Sequence, residues 1–150
     1  MEKLNLPTYF FKIKSINQKK YIFDTIRKKY ILLTPEEWVR QNFIQYLINE
    51  KKFPASLISV EMNLNINKQK QRSDIVLFDN NGKAIVIVEC KAAIIKINQK
   101  VFDQVARYNI PLKVNYLIVT NGLNHYCCII DYKTNSYKFL KEIPDYKDIK

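Results

Sequence analysis

Three residues have the types and spacing to do chemistry together: Asp74, Glu89 and Lys91. Asp74 opens the apolar run Asp74-Ile75-Val76-Leu77-Phe78, the turn Asp79-Asn80-Asn81-Gly82 follows, and a second apolar run, Ala84 to Lys91, carries the other two. Asn-Gly between alternating apolar segments predicts a hairpin with a tight type I′ turn. With Asn81 and Gly82 as its central residues, Asn80 faces Lys83, and counting outward sets Asp74 opposite Glu89. Opposed residues share a face with Cβ atoms about 5 Å apart. A slip of one residue would separate the pair, so the reading depends on register. Lys91, two residues beyond Glu89, falls on the same face.

Two carboxylates at the end of a buried strand repel unless a cation lies between them. Mg²⁺ suits such a pair, because it takes one or two carboxylates, keeps several waters and works on phosphates. Asp74 and Glu89 are therefore candidate metal ligands, with the backbone carbonyl of Cys90 as a further oxygen. The metal would activate a water, and Lys91 would orient it or stabilise the pentacovalent phosphate. The expected chemistry is metal-assisted phosphodiester hydrolysis.

The surrounding elements must position these groups. Tyr9–Lys14 and Tyr21–Ile26 predict two short N-terminal strands. Thr34-Pro35-Glu36-Glu37 predicts a helix start, with Thr34 as N-cap, Pro35 at the first position and Glu37 completing a capping box; the helix should run to about Glu50. Leu57–Ile66 predicts a strand by alternation, followed by a basic loop from Asn67 to Arg72. Ala84-Ile85-Val86-Ile87-Val88 is apolar on both faces, hence a central strand. A second helix is expected over about Asn98–Asn109, then strands at Val114–Thr120, His125–Asp131 and near Tyr137–Leu140. The order implies an α/β fold, a central mixed β-sheet flanked by helices. Residues 1–150 read as one domain, with 1–33 an N-terminal strand extension, 34–131 the core and 132–150 a closing strand and tail.

Ser73-Asp74, a fourteen-residue gap and Glu89-Cys90-Lys91 resemble the PD-(D/E)xK nuclease signature, with Ser73 at the Pro position. Arg72-Ser73-Asp74-Ile75-Val76-Leu77-Phe78 and Val88-Glu89-Cys90-Lys91-Ala92 resemble, more specifically, the N-terminal nuclease domain of type I restriction enzyme R subunits. Gln104-Val105-Ala106-Arg107-Tyr108 matches that family's QxxxY motif. The resemblance spans roughly Thr34 to Asp131. It implies a restriction-endonuclease-like core and a deoxyribonuclease using Mg²⁺ or Mn²⁺, of restriction or repair type, with endonuclease action expected over exonuclease action. It implies that Gln104 and Tyr108 lie beside the metal site and touch the DNA backbone. It also implies an acidic residue from the first helix, with Glu37 the best match and Glu36 next. DNA is the expected partner, together with a second copy or a protein supplying target recognition. No GxxxxGK[ST] phosphate loop is present, so the chain resembles the nuclease part standing alone.

Each assignment has a plainer competitor. Asp74, Glu89, Lys91 and Arg72 would also make a structural ion-pair set, and a nuclease-like fold can bind or assemble without cutting. Glu37 serves a helix cap as readily as a metal site. Gln104 and Tyr108 share a helix face with Val101 and Val105, which suits core residues. His125, the sole histidine, reads as structural. Lys68, Lys70, Arg72, Lys96 and Lys100 flank the site in sequence and are candidates for phosphate contact.

The bulk properties agree with a polyanionic partner: the formal charge is +11 at pH 7. No apolar run or basic amphipathic helix points to a membrane. Cys90, Cys127 and Cys128 make neither a disulfide framework nor a zinc pattern. Lys12 and Lys14 interrupt the N-terminal apolar stretch, so no signal peptide is expected, and a reducing cytoplasm is the simplest setting.

Overall fold

The computed structural model describes residues 1–66 and 69–149, the side chains of residues 63–72 excepted. A three-stranded antiparallel sheet comes first: β1 (Ile13–Ile16), β2 (Lys19–Asp24) and β3 (Lys29–Leu32). The first expected N-terminal strand thus starts later, the second starts earlier and ends sooner, and a third joins them. Asn17 and Gln18 both take positive φ, 49° and 68°, which makes the β1–β2 link a two-residue hairpin and draws Lys19 and Lys20 into β2.

Helix α1 spans Pro35–Asn49, and the Oγ1 of Thr34 accepts the Glu37 N–H at 3.0 Å. Val39, Phe43 and Leu47 lie four apart and are fully buried, so this stripe faces the core. The main sheet runs in the order β4 (Ile58–Ile66), β5 (Gln69–Phe78), β6 (Ala84–Cys90), β7 (Tyr116–Thr120), β8 (His125–Asp131), β9 (Ser136–Leu140). Among the described strands only β6 and β7 pair in parallel. Their crossover contains α2 (Gln99–Asn109), capped by the Asn98 side chain on the Val101 N–H. One core joins α1 to Ile75, Leu77, Val86, Val88 and Ile118. A second joins Phe102, Val105 and Ala106 of α2 to Ile87, Leu117 and Val119. The sheet is therefore covered on both faces, which explains why β6 is apolar throughout. A short helix, α3 (Tyr146–Ile149), follows β9. Among the described residues no helix is long and apolar enough to cross a membrane.

Two expectations about the β5–β6 region change. Part of the expected basic loop is strand, because β5 begins at Gln69. The turn is not type I′: Gly82 has φ +80°, Asn81 has no positive φ, and the Gly82 N–H reaches back to the Asp79 carbonyl at 3.1 Å. The Asp79 carboxylate accepts the N–H groups of Asn81 and Lys83, which stabilises this longer loop. Asp79 then pairs with Lys83 and Phe78 with Ala84, one residue out of the expected register. An irregularity between Leu77 and Phe78 restores it, so Leu77 faces Val86 and Ile75 faces Val88. One further step sets Asp74 opposite Glu89, as the count from the turn had placed it.

Candidate active site

The β5–β6 register delivers Asp74 and Glu89 side by side, and Lys91 continues from β6 with its N–H bonded to the Thr120 carbonyl at 2.8 Å. Oδ2 of Asp74 accepts the backbone N–H of Cys90 at 2.7 Å, which stitches the two strands at the level of the site. The Cys90 side chain is buried, and burial pushes its thiol well above the usual range, so it is no nucleophile. Burial and the facing Asp74 push the Glu89 carboxyl up to about 8, against the pull of Asn109 and Lys91. Oε1 of Glu89 is buried with no hydrogen-bond partner.

A cleft of about 350 Å³ opens beside this pair, lined by Glu89, Lys91, Gln104, Val105, Tyr108 and Asn109. The two helix positions of the QxxxY pattern thus converge on the strand-borne pair. Gln104 and Tyr108 are exposed while Val105 is buried, so the core reading of the first two does not hold. Lys96 and Lys100 are exposed on the segment leading into α2 and its first turn. Asn121 ties that segment to the β7–β8 turn, donating to the Ile95 carbonyl at 2.7 Å. Lys68 lies outside the described residues, as do the side chains of Lys70 and Arg72.

Helix α1 supplies what sequence reasoning missed. Arg40 is buried, and its guanidinium meets Oδ1 of Asp74 at 3.0 Å, Oε1 of Glu37 at 2.5 Å, Oε1 of Glu36 at 3.2 Å and Oε1 of Glu61 at 3.5 Å. Arg27 extends the network, reaching Oε2 of Glu37 at 3.0 Å, Oε2 of Glu61 at 3.2 Å and Oδ2 of Asp24 at 2.6 Å. Gln41 donates to both Glu37 and Asp24 at 2.9 Å. The Glu37 carboxylate is therefore taken on both oxygens by Arg27, Arg40 and Gln41. Its backbone N–H is capped, but its side chain does not complete the capping box, and it reaches Asp74 through Arg40. Glu36 also lies in the field of the site: burial and Asp74 raise its carboxyl, while Arg40 and Lys91 lower it.

Glu61 sits between Val60 and Met62, which pair with Ile75 and Ser73, so it comes level with Asp74 on the neighbouring strand. It takes φ +53°, a left-handed conformation that costs about 1–2 kcal/mol. Counting the β4–β5 pairing as the β5–β6 pairing was counted would have found it. Arg40 had a weaker signal, a lone cation one turn beyond the acidic helix start.

A divalent cation fits these donors in kind. The set is oxygen only, Glu89 has an unpartnered buried oxygen, and six carboxylates (Asp24, Glu36, Glu37, Glu61, Asp74, Glu89) outnumber the neighbouring Arg27, Arg40 and Lys91. Among the described residues no three acidic, His or Cys side chains form a ready cage.

The family described as type I restriction enzyme R protein N terminus matches residues 35–144. A fragment of an HsdR subunit of a type I restriction enzyme from Vibrio vulnificus YJ016 is similar in fold, with TM-score 0.54 at 18% identity. The match covers 78% of this chain and 24% of that one, so this chain corresponds to about a quarter of the solved protein. No curated protein matches. With the family match running from the start of α1 past the end of β9, the chain belongs to the type I restriction enzyme R protein N-terminal family.

Proposed function

We propose that this domain is a metal-dependent deoxyribonuclease of the PD-(D/E)xK type. The observation that carries the reading is the meeting of Asp74, Glu89 and Lys91 at one strand end, opening on a cleft shared with Gln104 and Tyr108. Asp74, Glu89 and the Cys90 carbonyl would hold Mg²⁺, or Mn²⁺ in its place. Such an ion, when bound, activates a water and offsets charge on the phosphate. Lys91 orients that water or stabilises the pentacovalent phosphate. Glu36 lends a further carboxylate, and Glu37 holds Arg40. Gln104 and Tyr108 contact the DNA backbone at the cleft, and Lys68, Lys70, Arg72, Lys96 and Lys100 position phosphates. The activity is endonucleolytic, in the cytoplasm, within a restriction system in which a second copy or a partner protein supplies target recognition.

One observation favours a second reading, a DNA-binding or assembly module that does not cut. Arg40 already occupies an oxygen of Asp74. Plasmid and single-strand cleavage with Mg²⁺ or Mn²⁺ decides between them, comparing the wild type with Asp74→Ala and Lys91→Ala. Metal-dependent cutting lost in both variants supports the nuclease. DNA binding without cutting supports the module. Equal cutting by all three proteins removes the site assignment.

A further inference from the structure

The N-terminal sheet has two unlike faces. Its inner face carries Ile22 and Asp24, both fully buried, and is fastened to α1 by the Asp24–Gln41 and Arg27–Glu37 contacts. Phe11, on the same side as Ile13 and Ile22, packs edge-on against Trp38. The register gives the outer face a different composition. Lys14 pairs with Tyr21, Phe23 with Tyr30, and the Phe23 N–H bonds to the Lys12 carbonyl, so Lys12, Lys14, Lys19, Tyr21, Phe23 and Tyr30 share it with the exposed Ile16 and Leu32. The three lysines are exposed and the three rings half-buried. Lys14 Nζ stands 4.0 Å from the Tyr30 ring centre, and Lys12 Nζ stands 5.9 Å from that of Phe23. Among the described residues of the three strands none on this face is acidic, since Asp24 points inward. Residues 1–33 hold eight of the chain's 25 basic side chains and two of its 14 acidic ones.

We propose that the outer face of this sheet is a second nucleic-acid site, binding a single strand by stacking its bases on Tyr21, Phe23 and Tyr30 while the lysines meet its phosphates. Lysine alone would serve any polyanion. Aromatic rings interleaved with it on an open sheet select a strand whose bases are unpaired, because a paired base has no free face to offer. Lys14 Nζ lies over the Tyr30 ring and Lys12 Nζ over that of Phe23, so an incoming base displaces each amine from the ring face toward its own phosphate. The site is distinct from the cleft at Glu89 and does not depend on cleavage.

The test is fluorescence anisotropy of a labelled oligothymidylate with the full chain in EDTA, so that cutting plays no part. Phe23→Leu/Tyr30→Leu keeps apolar bulk and should weaken single-strand binding by about tenfold or more, with duplex binding unchanged. Lys12→Gln/Lys14→Gln should lower the salt slope of single-strand binding by about 1.4. Photocrosslinking of an iodouracil-containing strand to the wild-type protein gives a readout independent of variants, with adducts expected at Tyr21, Phe23 or Tyr30. The proposal fails if the ring variant weakens duplex binding as much as single-strand binding, or if the lysine pair matters and the rings do not. It fails equally if adducts fall at Tyr108 instead, or if no strand binds.

Discussion

Arg40 of the first helix holds Asp74 of the central hairpin, its guanidinium 3.0 Å from Oδ1, while the other oxygen of Asp74 accepts the Cys90 N–H. The carboxylate is thus fixed from two sides, by the helix and by the adjacent strand. Arg40→Met leaves Asp74 and Glu37 without their buried cation and should destabilise the fold by about 3–5 kcal/mol. Arg40→Lys should recover only part, since an ammonium cannot fork across several carboxylates. Urea unfolding measures both, and a Met variant as stable as wild type would mean that Arg40 does not hold the pair.

Glu36 and Glu37 are neighbours with opposite expected roles. Glu37→Gln removes charge from a buried set and should cost about 1–3 kcal/mol. Glu36 is half-exposed, so Glu36→Gln should change stability by no more than about 0.5 kcal/mol. Titration calorimetry with Mn²⁺ should show the larger loss of affinity for Glu36→Gln among the two. The reverse pattern would return the metal-site role to Glu37.

Glu89 has a carboxyl raised from 4.5 to about 8. Between those values the folded protein keeps a proton that the unfolded chain has released, so stability should fall as pH rises across the interval. Below 4.5 and above 8 this group adds no slope. Urea unfolding in EDTA should show the decline, Glu89→Gln should remove this contribution, and Mg²⁺ should reduce it by neutralising the ionised pair. A wild-type slope that Glu89→Gln leaves untouched would contradict the assignment.

His125 acts in the opposite direction. Its Nε2–H donates to the Asn5 carbonyl at 3.1 Å, which leaves Nδ1 to accept the Thr120 hydroxyl at 2.7 Å. Burial lowers its pKa from 6.5, despite the Asn5 contact. The unfolded chain therefore takes up its proton first on acidification, and the stabilisation present above 6.5 is lost as pH falls. As the single histidine, its imidazole gives one NMR resonance whose titration midpoint should lie below 6.5. A midpoint above that value would mean that the ring is held as a cation.

Much of the fold was readable from local signals. Thr34-Pro35 starts a helix because a hydroxyl and a locked φ act within one turn, and α1 begins there. The doubly apolar run at Ala84–Val88 had to be central, because no other place buries both faces. The Asp74–Glu89 pairing emerged from a count that assumed the wrong turn, rescued by an irregularity one pair further in. That agreement rests on packing against both faces of the two strands, where Ile75, Leu77, Val86 and Val88 join one core and Ile87 the other.

By itself, then, the sequence determined what short-range physics controls: the caps, the alternation and the carboxylate-bearing hairpin. Only the tertiary structure decided which acidic residues gather around Asp74 and Arg40. Glu61 comes level with Asp74 through a cross-strand pairing, and Arg27 and Arg40 meet Glu37 across separate elements. Charges have no periodicity along the chain. Their partners are set when desolvation forces each buried carboxylate toward whatever cation the packing brings within reach.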